Sequence, residues 1–371
     1  MKVIIVRSRA IDPSVKKIAC ALANREFTVH LLIWDRDGEL HNTIENNYFL
    51  HYCRIHAPCD NFLVFFYLPF WWFYELLFLL RNSDKNTVIH ACDLDTLWPA
   101  IMVKIIKKIT LNYTIFDFYA DNFPHKTPHF IRRSIASIEK IGLQFAHTVF
   151  LVDESRIQQI KNAKFKNIVY IYNTPEEKFL LRDIRTSVEQ KEMILFYAGV
   201  LHEARGLSHI IQAIEPIADV KFLVAGKGPA HYLVENSSRL IKKKIKYLGW
   251  IPYNEVIIQT LGSDCIIALY DPSIPNNRYA SPNKLFEAMM CKKPIIVNGG
   301  TAMANIVQEE KCGLIVPYGD IEAIKEAIIK FRDDSSLRQE LGENGRKAYE
   351  QKYSWAIMEK RLVAVYENLR L

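Results

Sequence analysis

Short apolar runs alternate with amphipathic stretches from the start of the chain. Residues 2–6 form an apolar run typical of a buried strand, and residues 27–34 form a second one. Between them, residues 15–24 place apolar side chains at helical spacing. A strand, a helix and another strand in this order predict a parallel sheet that is doubly wound by helices, which is an α/β fold.

The same alternation continues to the end of the chain, with one polar interruption. Apolar runs that predict further strands lie at residues 87–92, 114–116, 147–152, 168–172, 193–198, 220–225, 246–250, 264–270 and 294–297. The polar stretch 182–192 separates the fourth of these runs from the fifth. A chain of 371 residues is also long for a single core. We therefore predict two domains with a boundary near residue 185.

Residues 62–80 form a long apolar stretch whose only charged side chain is Glu75. The length approaches that of a membrane span. Pro69 and the clustered aromatic residues favour a helix that lies in the interface of a membrane. A buried core helix and a true span are the alternatives that the sequence leaves open.

Charge and cysteine content indicate the class of partner and the cell compartment of the protein. The net charge of +7 favours an anionic partner but does not distinguish a nucleotide, a phospholipid surface or nucleic acid. The seven cysteines are scattered and lack the CxxC spacing of a metal site. Reduced thiols in the cytosol are therefore expected, and the apolar run at residues 2–6 does not suggest a secretory signal.

Residues 281–290 have the pattern of a polar loop that opens a helix. Ser281 is a favourable N-cap and Pro282 suits the first helical position. The free N–H groups of the first turn would bind an anion, and Lys284 adds a positive charge. Glu287 is far enough into the helix to reach a sugar hydroxyl of the same ligand. The alternative is an ordinary connection between a helix and a strand.

Glycine-rich turns follow two strands of the second half. Gly199 and Gly206 flank a loop that contains Arg205, and Gly226 and Gly228 follow the next strand. Glycine allows a backbone to approach a ligand closely, and arginine suits a two-pronged grip on a diphosphate.

Acidic loops follow two strands of the first half. Asp93 and Asp95 come after residues 87–92, and Asp117 and Asp121 come after the next strand. Ligands of open α/β sheets bind beyond the carboxyl ends of the strands, where His90 is also expected. The carboxylates would hold a metal ion or bind sugar hydroxyls. For Asp95, capping of the following helix is the alternative.

Residues 282–289 (PNKLFEAM) with Lys-Pro-Ile-Ile at 293–296 resemble the donor-binding signature of retaining GT-B glycosyltransferases of the group 1, or family 4, type. The resemblance is specific over residues 193–371 and loose over 1–185. It implies the GT-B fold, in which two Rossmann-like doubly wound parallel-sheet domains face each other across a cleft. Residues 1–185 would bind the acceptor, residues 186–354 the nucleotide-sugar donor, and the helix at 355–371 would pack back on the first domain.

The resemblance also implies roles for individual residues. Arg205 and Lys284 would stabilise the leaving diphosphate and Glu287 would bind the ribose, so these three are the candidate catalytic residues. The implied donor-binding residues are Gly199, Arg205, Gly226, Gly228, Ile251, Ser281, Pro282, Asn283, Lys284, Leu285 and Glu287. The candidate acceptor-side residues are His90, Asp93, Asp95, Asp117 and Asp121.

Three positions depart from the family pattern. Cys92 stands where the family has a second histidine, Val200 where it has a basic residue, and Tyr279 where it has a first glutamate. These departures make a non-catalytic partner subunit with the same fold one alternative function. A nucleotide-sugar epimerase is a second alternative, although no acid and base pair for that chemistry is evident.

The leading expectation is a retaining, metal-independent glycosyltransferase without a cofactor. Its donor would be a UDP- or GDP-linked sugar, and its acceptor a lipid-linked sugar, a glycolipid or a polysaccharide of the cell surface. The segment 62–80 leads us to expect a peripheral position at the inner face of the cell membrane. No nucleic-acid partner is expected.

Overall fold

The computed structural model describes residues 1–9, 13–38, 47–58, 63–123, 127–177, 192–241 and 244–370. The chain divides into two compact units, one formed by residues 1–172 with 358–371 and the other by residues 173–357. The boundary predicted near residue 185 falls in a stretch, 178–191, that lies outside the described residues.

The first unit is built on a seven-stranded sheet. Its strands are β1 (Lys2–Arg7), β2 (Thr28–Trp34), β3 (Phe49–Cys53), β4 (Thr87–Cys92), β5 (Thr110–Ile115), β6 (Thr148–Leu151) and β7 (Asn167–Tyr170). The strand order is β3-β2-β1-β4-β5-β6-β7, and all neighbours pair in parallel. The direction of winding reverses between β1 and β4, which is the usual position of a ligand site in such sheets.

Helices cover this sheet as the apolar pattern predicts. They are α1 (Pro13–Ala23), α2 (Val64–Asn82), α3 (Leu94–Lys107) and α4 (His129–Leu143). Strand β4 is buried at every position, as expected for a parallel strand with helices on both of its faces.

The second unit is built on a six-stranded sheet. Its strands are β8 (Met193–Ala198), β9 (Val220–Ala225), β10 (Ile245–Tyr247), β11 (Cys265–Ala268), β12 (Ile295–Asn298) and β13 (Gly313–Val316). The order is β10-β9-β8-β11-β12-β13, again parallel throughout. The winding reverses between β8 and β11. The loops that follow these two strands therefore form the expected ligand site of this unit.

The helices of the second unit are α5 (Leu207–Ile214), α6 (His231–Leu240), α7 (Tyr253–Gly262), α8 (Pro275–Arg278), α9 (Asn283–Met290), α10 (Ala302–Glu310), α11 (Ile321–Asp333) and α12 (Ser335–Ala348). A π-helical turn follows at Tyr349–Tyr353. The last helix is α13 (Trp355–Glu367). From Met358 onward its residues belong to the first unit, where the Tyr366 ring packs edge-on against Phe27.

Helix α2 corresponds to the apolar segment 62–80, of which residue 62 is not described. The helix is long and apolar enough to cross a membrane by length and composition alone. Its buried side chains are Trp71, Glu75 and Leu79, spaced four residues apart, so one stripe packs into the unit. Trp71 stacks on Trp34 at a ring distance of 5.4 Å. The remaining surface of α2 is largely apolar and exposed.

Candidate functional site

Two glycine turns at the ends of β8 and β9 are packed directly against each other. The Gly199 N–H donates to the Ala225 carbonyl (3.0 Å), and the Leu201 N–H donates to the Lys227 carbonyl (2.9 Å). Gly226 has φ +139°, and a Cβ atom there would overlap the carbonyl oxygen of Gly199. Only glycine fits at residue 226, because both the backbone angle and the space exclude a side chain.

Arg205 is held beside this turn by two contacts. Its guanidinium lies 3.8 Å from the centre of the Tyr270 ring, and its Nη1 donates to Oδ1 of Asn277 (2.8 Å). Asn277 is itself held because its Nδ2 donates to the carbonyl of Asp271 (3.0 Å). These contacts bring a permanent positive charge from the loop after β8 to the loop after β11.

Lys284 lies in the same place, in the first turn of α9. Its ammonium nitrogen is 3.7 Å from the centre of the Tyr197 ring and 5.6 Å from that of Tyr270. Nζ also lies 3.1 Å from the point that a Cβ of Gly199 would occupy. Burial, together with the charge of Arg205, lowers the pKa of Lys284 to about 7, and the charge of Glu287 opposes the shift.

Helix α9 begins one residue later than predicted. Pro282 has extended backbone angles and occupies the N-cap position, without a side-chain cap. The prediction that Ser281 caps the helix and that Pro282 is its first residue is therefore wrong. Instead, the Ser281 hydroxyl and Oδ1 of Asn283 are buried, and neither has a hydrogen-bond partner among the described residues. Both polar atoms thus stand at the helix N-terminus without a partner in the part of the chain that the structure describes.

Glu287 is buried one turn further along α9. The Tyr253 hydroxyl at the start of α7 donates to its carboxylate, and burial, the charge of Glu287 and this bond raise the pKa of Tyr253. Tyr253 therefore fixes the orientation of the carboxylate. Ile251, which is partly buried, lies two residues before Tyr253, and the side chain of Leu285 is in the core.

The structure thus brings most of the predicted donor residues to the switch point of the second sheet. Residues that the sequence analysis missed are Tyr197, Tyr253, Tyr270 and Asn277, which support the two cations and Glu287. Their positions at strand and helix ends were visible in the sequence. Their contacts were not, because they join loops far apart along the chain.

In the first unit, the predicted acceptor residues have different environments. His90 does not lie in the polar loop: it is buried inside β4, where Nδ1 bonds the Tyr366 hydroxyl and Nε2 bonds that of Thr114. Burial lowers its pKa to about 3, so the ring is neutral. This placement corrects the expectation that His90 faces a ligand, because both ring nitrogens are occupied within the unit.

Asp93 joins three strand ends. One carboxylate oxygen is paired with Arg7, and the other accepts from the N–H groups of Phe116 (2.8 Å) and Asp117 (3.3 Å). Its φ of +66° is uncommon for a residue other than glycine. These contacts occupy both oxygens of Asp93, so its role in this structure is to hold the loops after β1, β4 and β5.

Asp95 lies in the first turn of α3 and does not cap the helix, whose N-cap is Asp93. Its Oδ2 accepts from the Ser8 hydroxyl, and the guanidinium of Arg36 is 3.9 Å away. Arg7, Ser8 and Arg36 were missed in the sequence analysis. The order of the strands would have indicated Arg7 and Ser8, since Arg7 ends the strand at the switch point and Ser8 follows it.

Asp117 and Asp121 are the more accessible carboxylates. Asp117 pairs with Arg156 at 3.2 Å, and its side chain remains 40% exposed. Asp121 accepts a hydrogen bond from Gln159 (2.7 Å). Among the described residues, no group of three or more histidine, cysteine or acidic side chains is placed to bind a metal ion.

Comparison with known proteins agrees with this arrangement. Residues 181–348 match the family model described as glycosyl transferases group 1. The capsular polysaccharide biosynthesis glycosyltransferase CapM of Staphylococcus aureus is 30% identical over 205 residues, 53% of this chain and 50% of CapM. A GDP-mannose-dependent monoacylated alpha-(1-6)-phosphatidylinositol monomannoside mannosyltransferase of Corynebacterium glutamicum is 25% identical over 53% of this chain and 52% of its own. The matched part of this chain thus spans about half the length of these relatives.

The fold comparison extends over the whole chain. The sucrose-phosphate synthase of Thermosynechococcus elongatus superposes with a TM-score of 0.82 and 16% identity, covering 99% of this chain and 98% of the synthase. The predicted α/β class and GT-B fold are confirmed. The chain has a GT-B fold, and its residues 181–348 match the group 1 family of glycosyltransferases.

Proposed function

We propose that this protein is a retaining glycosyltransferase. It transfers a sugar from a UDP- or GDP-linked donor to a lipid-linked, glycolipid or polysaccharide acceptor of the cell surface. The observation that carries the proposal is the meeting of Arg205, Lys284 and the N-terminus of α9 at the switch point of the second sheet. The names of the capsular and phosphatidylinositol-linked relatives support the choice of acceptor.

The two cations fit the departure of a diphosphate. As the bond between the sugar and the diphosphate breaks, negative charge grows on the leaving oxygens. Arg205 and Lys284, with the free N–H groups at the start of α9, would stabilise this charge. Because these groups supply positive charge, we propose that the transfer proceeds without a metal ion. Activity that survives EDTA supports this part of the proposal, and activity that needs an added divalent cation contradicts it.

Glu287 would accept hydrogen bonds from the ribose of the donor. Its carboxylate is held by Tyr253 on the neighbouring helix, so little reorganisation is needed on binding. Gly199, Gly226 and Gly228 would let the backbone approach the nucleotide. The Ser281 hydroxyl and the Asn283 amide oxygen, which have no hydrogen-bond partner among the described residues, lie beside the proposed phosphate position and are available to the donor.

Retention of the anomeric configuration and the position in the cell belong to the same proposal. We place the enzyme in the cytoplasm at the inner face of the membrane. Free thiols at the six cysteines that the structure describes suit a reducing compartment. Retention is tested on the product. Proton NMR of the first product would show whether the donor's anomeric configuration is retained, and an inverted product would refute this part.

The test of the donor site is calorimetric titration with UDP, GDP and their sugar conjugates. We expect one nucleotide to bind at micromolar concentration and Glu287→Gln to weaken it at least tenfold, about 1.4 kcal/mol. Glu322→Gln is the matched control, since Glu322 is exposed on α11 and pairs only with Lys325 among the contacts described. Equal affinity of the two variants for the nucleotide would show that Glu287 does not bind it.

A non-catalytic partner subunit is the second candidate, favoured by one observation. Val200 is 60% exposed in the turn where the family has a basic residue, so one expected cation is missing. The same titration decides, because failure to bind any of these nucleotides would favour the partner subunit over the enzyme.

A further inference from the structure

The outer surface of α2 carries a dense row of exposed aromatic side chains. Between residues 65 and 74, every exposed side chain is aromatic or proline. Phe66, Phe70 and Phe73 are the most open phenylalanines of α2, each more than 60% exposed. A soluble domain rarely exposes so large a contiguous apolar surface without a partner.

The apolar surface continues onto the two neighbouring helices. Met102, Ile105 and Ile106 on α3 and Ile138 on α4 are also exposed. Between the three helices lies a groove of about 530 Å³, which we call the apolar groove. It is lined by Trp72, Phe73 and Leu76 of α2, Trp98, Pro99 and Met102 of α3, and Ile138 of α4.

The charges of these helices separate by sign. Their three carboxylates, Glu75, Asp95 and Glu139, are all buried. Their six basic side chains all keep some exposure: Arg81, Lys104, Lys107, Arg132, Arg133 and Lys140. The outward surface of the three helices is therefore apolar and cationic, with no exposed carboxylate of its own. This combination is complementary to an anionic lipid surface.

A folded protein partner suits this surface less well. Protein interfaces carry about one hydrogen bond per 100–200 Å², and the exposed part of α2 between residues 65 and 74 offers only the hydroxyls of two tyrosines. A bilayer needs no such partners below its headgroups. Its anionic headgroups would meet the basic side chains.

We propose that the outward surfaces of α2, α3 and α4 dock this protein on an anionic phospholipid bilayer, with one hydrocarbon chain of a lipid in the apolar groove. The helix α2 then lies along the membrane and does not cross it, because its inner stripe is part of the core of the first unit. The first turn of α2 also touches the loop with the accessible acidic residues, since Phe65 stacks on Phe123 at 5.4 Å and meets Tyr119 at 6.4 Å. If the proposed function is correct, docking in this way would place a lipid-borne acceptor sugar near Asp117 and Asp121.

The test is sedimentation of the full-length protein with vesicles of phosphatidylcholine alone or with added phosphatidylglycerol. We expect binding to the anionic vesicles that weakens with salt. The triple variant Phe66→Ser/Phe70→Ser/Phe73→Ser should bind at least about 30-fold more weakly, since each phenylalanine loses its apolar burial. Arg133→Glu should weaken binding by more than about fivefold, since it reverses one charge near the surface. Leu240→Ser, at an 85% exposed position of the second unit, is the control and should bind like the wild type.

The apolar groove has its own measurement. Lipids brominated in their acyl chains should quench the fluorescence of Trp98, and the variant Trp98→Phe should lose that part of the quenching. Unchanged binding of the triple phenylalanine variant would overturn the proposal. So would equal binding to neutral and anionic vesicles, or a stable dimer in solution that does not bind vesicles. Nucleotide titration on the same samples separates the two proposals, because it reports the donor site whether or not vesicles bind.

Discussion

The near-neutral pKa of Lys284 predicts that donor binding takes up a proton. In the free protein, burial and the charge of Arg205 lower this pKa to about 7, whereas a bound diphosphate would raise it. Well below pH 7, at pH 6 and lower, the lysine is already almost fully charged, so this group adds little pH dependence there. As the pH rises through 7, an increasing fraction of the lysine must take up a proton on binding, and the affinity therefore falls.

The size of the effect follows from the titration curve. With a pKa of about 7, the charged fraction of Lys284 falls from about nine tenths at pH 6 to about 3% at pH 8.5. The affinity for a nucleotide sugar should fall about 30-fold over this range, or about 2 kcal/mol. This 30-fold figure assumes that the pKa of Lys284 in the complex stays above the pH of the measurement.

Calorimetry in buffers of different ionisation enthalpy measures the proton uptake directly. A nucleotide sugar is the suitable ligand because its diphosphate does not titrate near neutral pH. The uptake should rise from near zero at pH 6 towards one proton at pH 8.5. Lys284→Met should bind more weakly at pH 6 and lose the pH dependence. A wild type with constant affinity over this range, or a variant with the same slope, would refute the reasoning.

Two further predictions concern stability. Gly226→Ala should lower the free energy of unfolding by more than about 3 kcal/mol, because the new Cβ overlaps the Gly199 carbonyl. Gly249→Ala, with φ +69° and open space around it, should cost only about 1–2 kcal/mol, and equal costs in urea unfolding would contradict the steric argument. Burial raises the pKa of Glu139 from 4.5 to about 8, so the folded protein holds a proton that the unfolded chain has released between these values. The free energy of unfolding should therefore fall as the pH rises from 4.5 to about 8, by up to about 1.4 kcal/mol per pH unit. Urea unfolding of Glu139→Gln over the same pH range should show no such slope.

Local patterns in the sequence were enough for the class of fold. Runs that are apolar on both faces, such as β4 and β8, predict buried parallel strands without knowledge of their neighbours. Strand β3 was missed because it lies at the edge of its sheet and is only partly buried, so its apolar signal is weak. The predicted start of α9 was one residue too early, because Pro282 is compatible with both the N-cap position and the first helical turn.

The sequence by itself therefore determined the alternation of strands and helices over most of the chain and the position of the donor motif. It also identified Arg205, Lys284 and Glu287 as candidates, because these properties depend on residues close together along the chain. Tertiary structure alone decided that Lys284 is buried beside Arg205, that Tyr253 holds Glu287, and that His90 lies in the core. It also decided which side of α2 faces inward, since a helix that is apolar on all sides has no amphipathic pattern to reveal its buried stripe. These properties depend on burial and on contacts between segments that are far apart along the chain, so no local stretch of sequence shows them.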